Sequence, residues 1–360
     1  MTIIEGLYYI GYSIKKQQAL KHQKKLPCRV FSIGNLTVGG TGKTPATIAV
    51  AEEAKKRGLM PCVLTRGYKG SLQGPCFVSK GDKPLLKEEE AGDEPLLMAE
   101  RLKGVPVIKG ADRYEAGKFA LGSLPVALRP DVFILDDGFQ HWKLFRDKDV
   151  LLIDGTNPFG NRRLLPLGPL REPLNAIARA DIIVITKADK SVRSQESGVP
   201  PTQPSPSRGE GKGGGDRSHQ SIKGLIEEIR QYNAKAPLFF AEHRPSKFIT
   251  ATGDVFPLEW ARGKNCFGFS GIGNPASFKE TLLTAGLQVK GFKSYRDHYR
   301  YNAGDLEKIT ENAEETGADW IATTEKDIMR LKKLDMPRKL VALAIEFRVD
   351  ERFYEEVFTK

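Results

Sequence analysis

The stretch Ser32-Ile-Gly-Asn-Leu-Thr-Val-Gly-Gly-Thr-Gly-Lys-Thr-Pro45 decides the fold of this 360-residue chain. The run before it, Arg29-Val-Phe-Ser-Ile33, reads as a buried strand, and 45–57 reads as a helix. Strand, glycine-rich loop and helix in that order predict a phosphate-binding loop spanning Thr37, Val38, Gly39, Gly40, Thr41, Gly42, Lys43 and Thr44. Gly39, Gly40 and Gly42 let the backbone curl so that successive N–H groups face a phosphate chain. Lys43 is then expected to reach the β and γ phosphates, and the Thr44 hydroxyl to ligate Mg²⁺. One departure from G-x-x-x-x-G-K-[ST] is visible, because Thr37 stands where the first glycine is usual. The expected ligand is a nucleoside triphosphate.

Outward from the loop, short apolar runs alternate with helical stretches. Strands are expected at 29–33, 61–65, 105–108, 132–135, 150–153 and 182–185, and helices at 45–57, 94–103, 113–121 and 174–178. The alternation predicts an α/β fold of the P-loop NTPase type, a mostly parallel sheet with helices on both faces. Its ligands should lie beyond the carboxyl ends of the strands. Residues 191–221, rich in Pro, Ser and Gly, are expected to be a disordered surface insertion, after which 222–232 resumes as a helix. Extended pieces around 238–241 and 247–251 suggest a linker ribbon over 238–264. Beyond it, strands at 266–269, 288–292, 319–323 and 340–345 with helices at 276–285 and 303–316 predict a second, smaller α/β domain. The expected division is an N-terminal helix (1–25), a P-loop domain (26–237), the ribbon (238–264) and a C-terminal domain (265–360), with a cleft between the two lobes.

With 56 Lys and Arg against 45 Asp and Glu, the chain carries a net charge of +11, which points to an anionic partner. Aromatic residues are not interleaved with the basic ones and no zinc-finger spacing occurs, so nucleic acid is not the expected partner. Cys28, Cys62, Cys76 and Cys266 form no C-x-x-C pair and read as core thiols of a reducing compartment. No cleavable signal pattern and no run of 18 apolar residues is present. The first 25 residues are distinctive: Ile3, Ile4, Leu7, Tyr8, Gly11 and Ile14 recur at helical spacing, and Lys15, Lys16, Lys21, Lys24 and Lys25 follow. Such a helix suits the interface of an anionic membrane, although the residues alone equally allow one that packs on its own domain.

A second chemical signal is Asp131-Val-Phe-Ile-Leu-Asp-Asp-Gly-Phe-Gln-His141, an apolar strand that ends in the pair Asp136 and Asp137. P-loop enzymes use an acid at such a strand end to hold Mg²⁺. Together with Thr65-Arg-Gly-Tyr68, Gly92-Asp-Glu-Pro95, Arg171-Glu-Pro173, Thr186-Lys-Ala-Asp189, Asp297-His298 and Thr324-Glu-Lys-Asp327, these motifs closely resemble the tetraacyldisaccharide 4'-kinases of lipid A biosynthesis. The resemblance covers nearly the whole chain outside 191–221.

The resemblance implies an enzyme on the cytoplasmic face of the bacterial inner membrane, docked there by its N-terminal basic helix. It would move the γ-phosphate of ATP to the 4'-hydroxyl of a tetraacyldisaccharide 1-phosphate, giving lipid IVA, with Mg²⁺ as the metal. It also implies that Asp93, as catalytic base, forms a dyad with His298, and that Lys43 acts on the moving phosphate. Tyr68, Arg113, Gln140, His141 and Arg171 take the positions of disaccharide-binding residues. Read without it, Asp93 serves equally as a helix N-cap, and which of Asp136 and Asp137 meets the metal stays open. The alternative function is a P-loop GTPase or ATPase switch, suggested by Thr186-Lys-Ala-Asp189, whose first residue is Thr where the guanine signature has Asn.

Overall fold

The structure, a computed structural model, describes residues 2–68, 70–187 and 222–359; the 191–221 insertion and Asp189 lie outside the described residues. In chain order the elements are α1 (Ile3–Lys21), β1 (Arg29–Asn35), α2 (Lys43–Lys56), β2 (Pro61–Thr65), β3 (Cys76–Ser79), α3 (Glu88–Ala91), α4 (Asp93–Arg101), β4 (Val107–Lys109), α5 (Arg113–Ser123), β5 (Val132–Asp136), β6 (Lys148–Asp154) and β7 (Ile182–Thr186). They continue with α6 (Ile222–Tyr232), β8 (Leu238–Thr250), β9 (Val255–Pro257), β10 (Asn265–Ser270), α7 (Pro275–Thr284), β11 (Gln288–Ser294), α8 (Ala303–Glu315), β12 (Trp320–Thr324), α9 (Glu325–Leu331), β13 (Leu340–Val349) and α10 (Glu351–Phe358).

The strands make one mostly parallel sheet in the order β11-β10-β12-β13-β8-β7-β6-β1-β5-β2-β4-β3, with β9 on β8. Two parallel sets meet where β8 and β13 run antiparallel. The stretch expected to be a linker ribbon is therefore built into the sheet. Leu238 to Ala241 completes the parallel set on β7, and the residues up to Thr250 carry β13. Strands β1, β2, β5 and β7 are almost wholly buried, as a parallel sheet covered on both faces requires. One face packs Phe31, Ala46, Val50, Ala54 and Met98 under α2 and α4; the other packs Phe133, Ile108 and Ala116 under α5, and Ile183 and Ile229 under α6.

Helix α2 starts at Lys43, two residues before the expected point, because Pro45 falls in the first turn, where its missing N–H has no helical partner to lose. The segment 174–178 is a 3₁₀ turn, Leu174–Arg179. Three helices were not expected from periodicity, the short α3 and the C-terminal α9 and α10. Phe353 and Val357 of α10 return to the core beneath α2, and the rings of Phe31 and Phe358 meet edge to face at 5.5 Å.

Helix α1 is capped by Thr2 and Glu5, and Glu5 pairs with Arg163. Two of its three tyrosines turn inward: the Tyr8 hydroxyl donates to the Arg171 carbonyl at 2.9 Å and the Tyr12 hydroxyl to Glu172 at 3.0 Å, while Tyr9 stays exposed. Its other face leaves Ile3, Leu7, Ile10 and Ile14 84, 67, 56 and 51% exposed. Among the described residues, no helix is long and apolar enough to cross a membrane.

Candidate active site

The phosphate-binding loop leaves β1 where it lies between β5 and β6, and the register Ile33↔Asp136 brings the carboxylates at the end of β5 beside it. Two glycines make this juxtaposition. A Cβ on Gly34 would sit 2.5 Å from Phe139 Cβ, so the aspartate loop packs directly on β1. Gly42, at φ 87°, caps α2 in the left-handed region, and a Cβ there would strike the imidazole of His243. Gly39 and Gly40 face open space, the cradle a phosphate chain needs. Thr186 donates to the Thr41 carbonyl at 3.2 Å, and the Lys187 ammonium donates to the Gly40 carbonyl at 2.9 Å while pairing with Asp154. Thr37 is buried and bridges Leu170, and Val38 is exposed.

Lys43 donates to Asn35 Oδ1 at 3.2 Å and lies 3.7 Å from Asp137. Burial pulls its ammonium below the ordinary lysine value, although Asp137 opposes this. Asp136 accepts from the hydroxyls of Thr47 at 3.3 Å and Thr65 at 3.2 Å. Burial, with the charges of Glu94 and Asp137, pushes its carboxyl up to about 6. Asp137 is gripped by Arg171 at 2.8 Å and stands at φ 51°, a strained conformation for an aspartate that recurs where a side chain must be aimed. Arg171 also reaches Gln140 Oε1 at 3.4 Å, and Gln140 donates to the Asn35 carbonyl and to Glu172.

A cavity of about 1840 Å³ joins these groups to the C-terminal strands; Gly39 to Thr44, Asp136, Asp137, Tyr68, Glu94 and His298 line it. His298, also strained at φ 56°, presents its ring beside Tyr68 with centroids 6.1 Å apart. Its Nδ1 lies 3.0 Å from Asp93 Oδ2. An ionised carboxylate only accepts, so the proton of that bond is assigned to Nδ1, and Nε2 keeps its lone pair. Asp93 opens α4 and is buried behind His298; its Oδ1 accepts from the Glu94 N–H at 3.0 Å. Burial pushes its carboxyl up, but the His298 hydrogen bond and the Arg330 charge outweigh this and hold it well below the usual carboxylate range.

The expected site residues are thus brought together with three differences. Asp93, expected as the base itself, does not line the cavity: both of its oxygens are engaged, and His298 stands in front of it. Arg113 is buried, with its guanidinium on the carbonyls of Gly110, Ala111 and Asp136, because α5 begins there and directs the side chain beneath the β5 end. His141 does not line the cavity either; its Nε2 accepts from the Arg113 N–H at 3.3 Å, and burial pushes it down to about 3. Asn35, Glu172, Lys187 and Arg330 were not singled out from the sequence. The first three sit inside the motifs named above, and Arg330 lies four residues after Lys326, facing the acidic pair Asp93 and Glu94.

A nucleotide switch needs the loop and the aspartates but has no use for an imidazole poised across the cavity; a P-loop phosphotransferase acting on a hydroxyl does. Comparison with known proteins gives the acceptor. The family Tetraacyldisaccharide-1-P 4'-kinase matches residues 1–360. The tetraacyldisaccharide 4'-kinase of Syntrophus aciditrophicus is 39% identical over 358 residues, 97% of this chain and 88% of that one. That of Anaeromyxobacter sp. (strain K) is 38% identical over 303 residues, covering 84% and 72%. The crystal structure of LpxK from Aquifex aeolicus in complex with ATP superposes with a TM-score of 0.72 at 31% identity, covering 99% of this chain and 96% of that one. This chain belongs to the tetraacyldisaccharide 4'-kinase family, the phosphotransferases of lipid A biosynthesis.

Proposed function

We propose that the chain transfers the γ-phosphate of ATP to the 4'-hydroxyl of tetraacyldisaccharide 1-phosphate, forming lipid IVA, and that His298 with Asp93 serves the acceptor side. The observation that carries this reading is that one cavity is lined both by the phosphate loop and by His298, with Asp93 fixing Nδ1 from behind. The acceptor oxygen attacks the γ-phosphorus while the bond to the β–γ bridging oxygen breaks, and the hydroxyl proton passes to His298 Nε2. Loop N–H groups and Lys43 take up the charge of the transferring group. Arg171, Gln140 and Tyr68 line the same cavity and are proposed to hold the sugar phosphate and hydroxyls. Arg113 and His141 are proposed to act indirectly, by holding the aspartate loop from behind.

The residues fit Mg²⁺. Asp136 is a carboxyl raised first by burial and then by the charges of Glu94 and Asp137, which Lys43 only partly offsets, so a cation there is favoured. Among the described residues no group of three or more His, Cys, Asp or Glu is arranged to hold a metal. Mg²⁺ needs none, because one or two carboxylates and substrate phosphates suffice. Asp136, Asp137 and Thr44 would hold it, and it would supply charge neutralisation between the β and γ phosphates.

Incubating the enzyme with labelled ATP, detergent and tetraacyldisaccharide 1-phosphate should yield a labelled bisphosphorylated lipid on chromatography. Consumption of ATP without that product sinks the reading.

We also propose that α1 docks on the cytoplasmic face of the inner membrane. The support is its exposed row Ile3, Leu7, Ile10 and Ile14 beside a cluster of lysines. Replacing Ile10 and Ile14 together by Glu should weaken sedimentation with vesicles containing phosphatidylglycerol by about tenfold or more. Undiminished binding would place the membrane contact elsewhere. The proposed division into the helix 1–25, a P-loop unit 26–237 and a C-terminal unit 265–360 joined by 238–264 puts His298 and Asp93 on different units.

A further inference from the structure

Helix α9 carries four charged residues in seven, yet Glu325, Asp327 and Arg330 are all buried. Their partners explain it. Lys326 pairs with Glu94 and Arg330 with Asp93, so two cations one helical turn apart meet two consecutive acids at the start of α4. Arg101 answers in reverse at 2.7 Å from Glu325, and Lys332 and Lys333 add exposed pairs to Glu100 and Glu89. The exposed pairs contribute little. The Arg330–Asp93 pair is different, because both of its charges have left water.

Arg330 is the centre of that network. Its Nε donates to Asp93 Oδ2 at 2.9 Å and its Nη2 donates to the same oxygen. Its Nη1 donates to the Gly271 carbonyl at 2.8 Å and to Asp327 Oδ1 at 2.9 Å. Asp327 is fixed in turn by the Tyr301 hydroxyl at 2.9 Å, the Gly271 N–H at 3.1 Å and Thr324 at 2.7 Å. The oxygen Arg330 takes on Asp93 is the one that His298 Nδ1 uses, not the one facing the α4 backbone. A bridge whose only work was to join α4 to α9 would have no reason to share it.

We infer that Arg330 is a positioning residue for phosphotransfer: it holds Asp93 as an anion in the one orientation that fixes the His298 ring for the acceptor hydroxyl. This rests on the reading of His298 and Asp93 as the acceptor-side pair. The groups facing Asp93 are His298, Arg330 and Lys326, with the acids Glu94 beside it and Glu88 on α3. Without the Arg330 cation, burial and the two neighbouring acids push the Asp93 carboxyl up against only the His298 hydrogen bond and Lys326, so it takes a proton more readily. A neutral carboxyl is a weaker acceptor for Nδ1–H, and the ring loses its anchor.

The test is the pH dependence of kcat, with KM for ATP, for the full-length enzyme and for R330M, R330K, D93N and H298A. Thermal melting confirms that each is folded. For R330M we expect kcat to fall about 10²-fold with KM for ATP little changed, and activity to decline on acidification from a pH about one unit or more higher than in the unaltered enzyme. R330K, which keeps the charge but not the fork of donors, should restore the acid limb and part of the rate. If Met is not tolerated in the buried site, R330Q keeps a donor without the charge and makes the same test. A loss that is uniform across pH, or one that R330K does not relieve, overturns the inference while impaired D93N and H298A leave the underlying reading intact. Near-normal kcat in D93N and H298A overturns the reading itself.

Discussion

His298→Ala lowers kcat by about 10³-fold, within the span seen for removal of a general base, and leaves KM for ATP within about twofold. The split follows from where the side chain sits. Nothing on the phosphate loop touches His298; its ring bonds Asp93 and lies beside the Arg330 guanidinium and the Tyr68 ring. Losing the imidazole removes the proton acceptor for the attacking hydroxyl, an interaction that gains strength only as the oxygen commits to phosphorus. Asp93→Asn should reach a similar loss, since an amide offers Nδ1 a weaker and reversible partner. Because the two residues act as one unit, the double variant should be scarcely worse than either single one. Steady-state rates at saturating lipid decide it. A fall in ATP affinity that matches the fall in rate would move His298 to the nucleotide, and multiplicative losses in the double variant would separate it from Asp93.

The P-loop half of this arrangement was legible in the residues because a parallel sheet buried on both faces reads as unbroken apolar runs. The segment 61–65 coincides with β2 for that reason, and 222–232 coincides with α6 because its apolar residues recur at helical spacing. The C-terminal half was legible as alternating strands and helices but not in how it attaches. Strand β8 pairs with one parallel set through its first residues and with the other through its last, a division that no periodicity announces. Helix α9 was missed because reading by hydrophobic period assigns Glu325, Asp327 and Arg330 to solvent, whereas their charges are cancelled in the interior by partners more than 200 positions away for Asp93 and Arg101. Helix α10 is eight residues long, and its apolar positions gain meaning only against Phe31 and α2.

Residue type and residue direction also came apart. Arg113 and His141 are the types that bind sugar phosphates, and their motifs carried that expectation. Asp112 caps α5 and points Arg113 under β5, where its guanidinium meets carbonyls and its backbone N–H occupies His141 Nε2. Arg171 has the same chemistry but follows a loop that runs along the cavity, so it stays in reach of ligand and grips Asp137. Side chains of one type were sorted into support and contact by the element that carries them.

Lys43→Ala damages both halves of the reaction where His298→Ala damages one. Its ammonium opens α2, lines the cavity with the loop amides, and is held by Asn35 and Asp137. A phosphate chain laid in the loop would find that cation already oriented, so the interaction serves ground state and transition state alike, and increasingly the latter as charge moves to the bridging oxygen. We expect kcat to fall by about 10²–10³-fold and ATP binding to weaken by about tenfold or more, the scale of one lost charge-assisted contact. A second effect acts in the free enzyme. Without Lys43, Asp137 keeps the Arg171 ion pair and the more distant Arg113 charge, and the carboxylate cluster beside the loop becomes more negative where a triphosphate must enter. Lys43→Arg should recover part of the binding and little of the rate, because the larger guanidinium keeps the charge but not the Asn35 geometry. Equilibrium nucleotide binding measured beside single-turnover transfer distinguishes the two losses. Unweakened binding in Lys43→Ala, with only the rate reduced, would remove the lysine from the nucleotide and leave it as a partner of Asp137 alone.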